Sequence, residues 1–176
     1  MALAKGTDTY ATLAESNVWS ENHPYDGGEW ALVEDAQKEK LLRYSTKFMD
    51  YRFNWHGSPT DQTQPLAFPR TGLTTRNGAA VDPAQIPDEL RDATCEFARK
   101  LAVSDLTNDQ VIEDLKITRA GDISFGKGVM RKVIPSAVRD IIPDSWFGEL
   151  LDEKDYDAIG SGLFGDSTSI FDGSGY

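Results

Sequence analysis

Cysteine occurs once in these 176 residues, at Cys95, and histidine twice, at His23 and His56. One cysteine excludes an internal disulfide and fits a reducing compartment. Two scattered histidines and one thiol lack the paired spacing of a zinc site. No apolar run approaches the ~20 residues of a membrane-crossing helix. Met1-Ala2-Leu3-Ala4-Lys5 has no apolar core long enough for a secretory leader, so cytoplasmic synthesis is expected. Bases are also scarce. Lys and Arg total 18 against 29 Asp and Glu, a formal net charge of −11. A nucleic-acid binder needs a basic face to release counterions from phosphates, and this balance lowers that expectation without forbidding a local patch.

The chemistry-bearing motifs fail one by one. The acidic stretch from Asp105 to Glu113 has neither the glycine nor the alternating ligands of a calcium loop. Gly126-Lys127-Gly128 lacks Walker spacing, and the G-x-G-x-x-G match from Gly160 to Gly165 follows no strand and opens no helix. There is no nucleophile elbow. His56, beside Trp55, reads as a packed or capping side chain, and Cys95 as a small buried hydrophobe inside a helix. A protein that makes and breaks no bonds, without metal or cofactor, is the expectation.

What the chain does have is an apolar fraction of 39% with 10% aromatics, enough for one domain with a real core. Thr12-Leu13-Ala14-Glu15 has capping-box spacing and predicts a first helix over about 12–22, with Leu13 and Trp19 inward. The stretch from Pro24 through Gly28 then breaks it. Asp35 is the expected cap of a second helix over 36–52. There Leu41, Tyr44, Phe48 and Tyr51, reinforced by Leu42 and Met49, recur at helical spacing and read as a core stripe. Ile86-Pro87 opens a third helix, with Leu90, Ala93, Phe97 and Leu101 as its buried face. Ile134-Pro135 opens a fourth, with Val138, Ile141 and Ile142 inward and Pro143 at its end. A short turn from Asp144 through Leu151 follows. Asn77-Gly78 predicts a tight hairpin over 73–81, and the alternation around Ala120-Gly121-Asp122 a second over 115–125. The fold class expected is mainly α, with two short β-hairpins.

Two segments stand out. Between Trp55-His56-Gly57 and Gln64-Pro65-Leu66-Ala67-Phe68-Pro69-Arg70-Thr71-Gly72, prolines and large apolar residues fill what would otherwise be a polar loop. That composition predicts a rigid, packed connection. Tyr51, Phe53, Trp55 and Phe68 beside Arg52 and Arg70 allow two readings: aromatic packing of the helix end against the loop, or base stacking. Lys127, Arg131, Lys132 and Arg139 form the other basic cluster.

The second segment is the C-terminus. Nine acids against Lys154 alone lie from Asp140 onward, and the composition turns rich in Gly and Ser from about 156. The expected organisation is a domain over 1–155 and a flexible tail over 156–176. Leu163, Phe164, Ile170, Phe171 and Tyr176 are spaced through that tail as single apolar groups. It reads either as a solubilising, mobile end or as a segment that orders on a partner, each anchor filling a pocket.

The order of parts resembles a family of small tailed-phage proteins labelled DnaT-like single-stranded-DNA-binding proteins. The resemblance runs over about residues 5–143. It is carried by Thr12-Leu13-Ala14-Glu15, the long Lys/Glu-rich helix ending near Trp55 and Gly57, and Gln64-Pro65-Leu66 with its aromatic-Pro-Arg. The Asn-Gly hairpin and Ile86-Pro87 before Ala93-Thr94-Cys95-Glu96 complete it. Phe68 stands where tryptophan is common in that family. The resemblance implies a small helical bundle decorated by hairpins, acting as a virion head–tail adaptor (connector) in the neck of the particle. It further implies a homo-oligomeric ring, of twelve copies, between the portal protein and a tail terminator or other neck protein. DNA would pass through its lumen without sequence-specific binding and without a membrane. On that reading Trp55, Phe68, Arg70, Leu163, Phe164, Ile170, Phe171 and Tyr176 are interface residues. The alternative is a DnaT-like single-stranded-DNA-binding replication accessory.

Overall fold

The capping box at Thr12 is realised atom by atom in the computed structural model, which describes residues 3–24, 27–106, 119–120, 123–124, 134–148 and 150. Thr12 Oγ1 accepts from Glu15 N–H at 3.1 Å, and Glu15 Oε2 accepts from Thr12 N–H at 2.7 Å. Helix α1 therefore starts cleanly and runs Leu13–Glu21. Its buried residues are Ser16 and Ser20, while Leu13 and Trp19 are only half-buried. Small side chains on the inner face let a neighbouring helix approach.

The stretch around Pro24–Gly28 does not simply break the chain. Helix α2, Gly27–Leu32, begins within it and delivers Trp30 into the core. Helix α3 spans Asp35–Arg52; its N-cap is Glu34, with no side-chain cap, and Asp35 sits in the first turn. Helix α4, Asp88–Val103, is preceded by Pro87 and buries Leu90, Ala93, Phe97 and Leu101 as expected. It also buries Thr94, Cys95, Glu96, Ala98 and Arg99, so little of it faces water. Helix α5, Ser136–Arg139, follows Pro135 and places Val138 inward. A single 3₁₀ turn, Asp144–Trp146, comes next, and Phe147 is already extended, so the expected turn through Leu151 is shorter than the sequence suggests.

Helix α4 is the central element and packs against α1, α2, α3 and α5. Phe97 and Leu90 belong to the larger apolar cluster, with Tyr10, Met49, Phe53, Phe68, Val138, Ile142 and Trp146. On its other side Cys95 and Ala98 join Ala11, Trp30 and Leu42. A helix with two apolar faces has to lie inside. The charges it buries are matched: Arg99 Nη2 donates to Glu96 Oε1 at 2.8 Å and Nε to Oε2 at 3.0 Å, and Trp19 Nε1 donates to the same Oε2 at 3.2 Å.

Strand content is small. Strands β1, Ser58–Pro59, and β2, Arg70–Thr71, pair antiparallel with Ser58 opposite Thr71. The Asn-Gly hairpin forms with Thr74 opposite Ala80, and Gly78 at φ 82°. Gly78 N–H closes on Thr75 O and Thr75 N–H on Ala79 O, which makes a three-residue loop ending in a left-handed glycine rather than the two-residue primed turn. Of the second hairpin, β3 (Arg119–Ala120) and β4 (Ile123–Ser124) pair with Arg119 opposite Ser124. The rest of 115–125 lies outside the described residues, as does the expected tail over 156–176. The fold is mainly α, with short antiparallel pairs.

Candidate nucleic-acid interface

Helix α3 carries five bases and three acids in a chain that is net acidic. Its inward stripe is Lys38, Leu42, Ser45, Thr46 and Met49. The hydroxyls there are satisfied: Thr46 Oγ1 donates to Thr9 Oγ1 at 3.1 Å and accepts from Tyr10 N–H at 3.3 Å, and Ser45 Oγ donates to Leu41 O at 2.7 Å. At 100° per residue the opposite side of the helix is Lys40, Tyr44, Lys47 and Tyr51. All four are exposed, Tyr51 at 73% and Tyr44 at 46%. The expectation that Tyr44 and Tyr51 belong to the core stripe is therefore corrected. Hydroxyl-bearing Ser45 and Thr46 take the inward positions, and the tyrosines point outward. Leu41 and Phe48, halfway round, are partly buried against the core.

The flanks of this stripe are aromatic and cationic as well. The Tyr44 and Phe48 rings lie 5.9 Å apart at 33°, and the Arg52 guanidinium sits 5.1 Å from the Phe48 ring centroid. Arg43 pairs with Glu39 at 3.4 Å. Beside the C-terminal half of the stripe a cleft of about 330 Å³ is lined by Thr7, Asp8, Arg43, Lys47, Asp50, Tyr51, Pro65 and Leu66. At its floor Asp50 accepts from the Tyr10 hydroxyl and, through Oδ2, from Ala67 N–H at 3.0 Å. Burial pushes the Asp50 carboxyl above its ordinary range despite these donors and the nearby Arg70 charge. Burial, and then Asp50, push the Tyr10 phenol well above 10.

The segment after α3 is held to one shape. Gly57 adopts φ 71°, Gly72 φ 82°, and the Phe68–Pro69 peptide is cis. Gln64 Nε2 donates to Leu66 O at 2.7 Å and Pro69 O at 3.1 Å. Arg70 reaches back across the loop, donating to His56 O at 2.7 Å, Gly57 O at 2.9 Å, Ala67 O at 3.2 Å and Trp55 O at 3.4 Å. Its fork is thus spent on carbonyls rather than offered to phosphate. Phe68 is fully buried, edge-on to Tyr10 at 5.9 Å and to Trp55 at 4.9 Å. Trp55 stacks on Phe53 at 4.7 Å and 18°. Its indole is close enough to Asp50 to help hold that carboxylate ionised, although Nε1 is outside hydrogen-bonding geometry. Phe68, expected at an interface, is therefore interior, and Arg70, expected there too, is half-buried and ties its own loop together. Trp55 is half-buried with them. Leu163, Phe164, Ile170, Phe171 and Tyr176 lie outside the described residues, as do Lys127, Arg131 and Lys132.

Burial pushes the Cys95 thiol up to about 12, which keeps it protonated. His56 Nδ1 lies 3.0 Å from Ser145 O, a packing contact. Among the described residues no cluster of three His, Cys, Asp or Glu could hold a metal, and no helix is long and apolar enough to cross a membrane. Sequence reasoning missed the α3 outer face as a unit, although the period was legible: basic and aromatic residues alternate at positions 40, 44, 47 and 51.

No curated protein and no solved structure matches the chain. One family does, that described as "Putative DnaT-like ssDNA binding protein", over residues 2–140. The match carries the DnaT-like half of the resemblance read from the sequence, and nothing in it indicates a head–tail adaptor. With most of its length matched, the chain belongs to this family.

Proposed function

We propose that this protein binds single-stranded DNA, without strong sequence preference, along the outer face of α3. The observation that carries the reading is the exposed Lys40–Tyr44–Lys47–Tyr51 stripe. Proteins that hold single strands combine cations tracking the backbone with aromatic rings on which bases stack, and this face has both in alternation. Tyr44 and Tyr51 are seven residues apart, about 10 Å along the helix axis, so their rings serve different bases of one strand. Each stacked base contributes ~1–3 kcal/mol. Lys40 and Lys47 add phosphate contacts whose strength falls with salt, about 0.7 in log–log slope for each phosphate neutralised on a single strand. The local excess of bases on α3 lets an acidic chain do this. The reaction class is binding only: no bond is made or broken, and no metal or cofactor is called for.

The test is fluorescence anisotropy of a labelled oligo(dT), with the matching duplex alongside, between about 50 and 200 mM salt. Binding of the single strand that weakens steeply with salt supports the reading. No binding at the low-salt end disposes of it.

A second reading, a head–tail adaptor in the neck of a phage particle, draws on a different observation. The loop over 54–73 is stapled by Arg70 and Gln64 into a fixed shape suited to packing against sibling copies, and the net charge of −11 suits a ring wall that does not trap passing phosphates. In that reading copies close into a ring, of twelve, between portal and a tail terminator or other neck protein. Light scattering and electron microscopy of the purified protein separate the two: a closed ring without affinity for oligonucleotides favours the adaptor.

A further inference from the structure

The function proposed above leaves one part of the chain without a role. Residues 151–176 carry Asp152, Glu153, Asp155, Asp157, Asp166 and Asp172 against Lys154 alone, together with apolar groups such as Phe164 and Phe171. This is the complement of the α3 outer face in both respects, acid for base and apolar for aromatic. Placement matters as much as composition. Phe147 bridges to Trp55 antiparallel, its ring lies 4.8 Å from Phe53, and Gly148 N–H donates to Asn54 O at 2.9 Å. Leu150 is buried in the same cluster. The chain therefore enters its acidic segment beside residues 53–55, immediately after the C-terminal end of α3. From Tyr51 to Lys40 the stripe is only ~16 Å long. At ~3.3–3.6 Å per extended residue, a handful of residues covers that distance. Tethering at this point gives the segment a high effective concentration over the stripe.

We propose that the protein's own segment 152–176 docks on the Lys40–Tyr44–Lys47–Tyr51 face, in cis, and competes there with single-stranded DNA. Its carboxylates take the place of phosphates at Lys40 and Lys47, and its aromatic groups the place of bases at Tyr44 and Tyr51. The docking stands on charge, exposure and chain path; only the competition rests on the proposed DNA binding. The device makes affinity depend on what else engages the tail, since a partner that captures residues 152–176 uncovers the face. An intramolecular competitor lowers apparent affinity by the fraction of time it leaves the site open.

Two measurements on the full-length chain test this. The photo-crosslinking amino acid p-benzoylphenylalanine is placed at position 51, and the products are mapped by mass spectrometry. Crosslinks within one chain to residues 152–176 are expected, falling several-fold when the six acids are replaced by Asn or Gln. Crosslinks only to other regions, only between copies, or insensitive to that neutralisation overturn the docking, whether or not the protein binds DNA. In the second measurement the neutralised full-length chain with Tyr51 intact is titrated with oligo(dT). Affinity about 3–10-fold higher than the parent corresponds to a face covered roughly 70–90% of the time. Equal affinity overturns the competition while the crosslinks still decide the docking. If neither chain binds oligo(dT), the proposed function fails and the competition with it.

Discussion

The Tyr10 hydroxyl donates to Asp50 Oδ1 and at the same time accepts from Phe68 N–H at 3.2 Å. One phenol thus joins three stretches of chain: the segment before α1, the last turn of α3 and the rigid loop. Replacing it with Tyr10→Phe leaves the Phe68 amide and part of the Asp50 carboxylate without their partner in a buried setting. The expected cost is ~1–3 kcal/mol, measured by urea unfolding, with the helical circular dichroism of the native state unchanged. The raised Tyr10 pKa has its own signature. A phenol held neutral in the fold contributes stability that is intact below its ordinary value of 10.0 and is lost as pH rises through the folded value. Spectrophotometric titration should therefore find one of the six tyrosines silent until the protein unfolds in alkali.

Acid acts on a different group. Burial raises the Glu15 carboxyl, but Lys5 and the Thr12 donors outweigh it, and its pKa is lowered from 4.5. Its stabilising contribution is present above 4.5 and is lost as pH falls through the lower, folded value. Asp50, raised by burial, runs the other way: its contribution is complete below 3.8 and is lost as pH rises through its folded value. The variant Glu15→Gln should flatten the acid limb of the stability curve below pH 4.5, followed by thermal melting at stepped pH. An unchanged limb would assign the acid sensitivity elsewhere.

Gly57 and Gly78 both have positive φ, 71° and 82°, but they differ in surroundings. A Cβ on Gly57 would lie 2.2 Å from Thr71 O and 3.3 Å from Leu73 Cδ2, whereas one on Gly78 would meet nothing within 4 Å. Gly78→Ala should cost only the left-handed backbone penalty, ~1–2 kcal/mol. Gly57→Ala adds a backbone collision across the β1–β2 pair and should cost clearly more, enough to separate the two in one set of denaturation curves.

Helix placement was legible in the sequence wherever a local device sets it: the Thr12–Glu15 box, and proline before α4 and α5. Each is a short-range hydrogen-bonding or backbone effect that needs no tertiary knowledge. The orientation of α3 was not legible. Counting Tyr44 and Tyr51 as apolar turned the inferred face toward them, yet Thr46 goes inside because Thr9 and Tyr10, far away in sequence, supply its hydrogen bonds. A hydroxyl is buried cheaply only where a partner waits, and periodicity does not report partners. Arg70 escaped in the same way. A basic residue beside aromatics reads as a surface contact until the carbonyls of Trp55, His56, Gly57 and Ala67 are seen converging on it. Helix α2 was hidden by its two glycines, since its register is set by Trp30 entering the core rather than by propensity.

Arg70 gives the sharpest separation of stability from binding. Arg70→Lys keeps the charge but loses the planar fork that spans several carbonyls. If the side chain serves the loop, both Arg70→Lys and Arg70→Ala lower the unfolding midpoint, by an amount typical of two or more lost charge-assisted bonds, about 3 kcal/mol or more. Oligonucleotide affinity of the folded fraction should stay within about twofold. A lysine variant with parental stability and reduced affinity would instead make Arg70 a nucleic-acid contact.

Tyr51 and Lys47 test the α3 face from its two chemistries. Tyr51 is 73% exposed, and among the described residues no ring contact or hydrogen bond ties its side chain to the core, so Tyr51→Ala should leave the melting temperature nearly unchanged. Loss of one stacked base would weaken oligo(dT) binding by ~1–3 kcal/mol, at least fivefold, at every salt concentration. Lys47→Gln should act differently: a weaker effect at high salt than at low, and a log–log salt slope smaller by about 0.7, because one fewer phosphate is neutralised. Tyr51→Phe keeps a π-face and should bind like the parent. Equal losses for the phenylalanine and alanine variants would mean that the hydroxyl, and not stacking, makes the contact, and a parental salt slope in Lys47→Gln would move the DNA path off this helix.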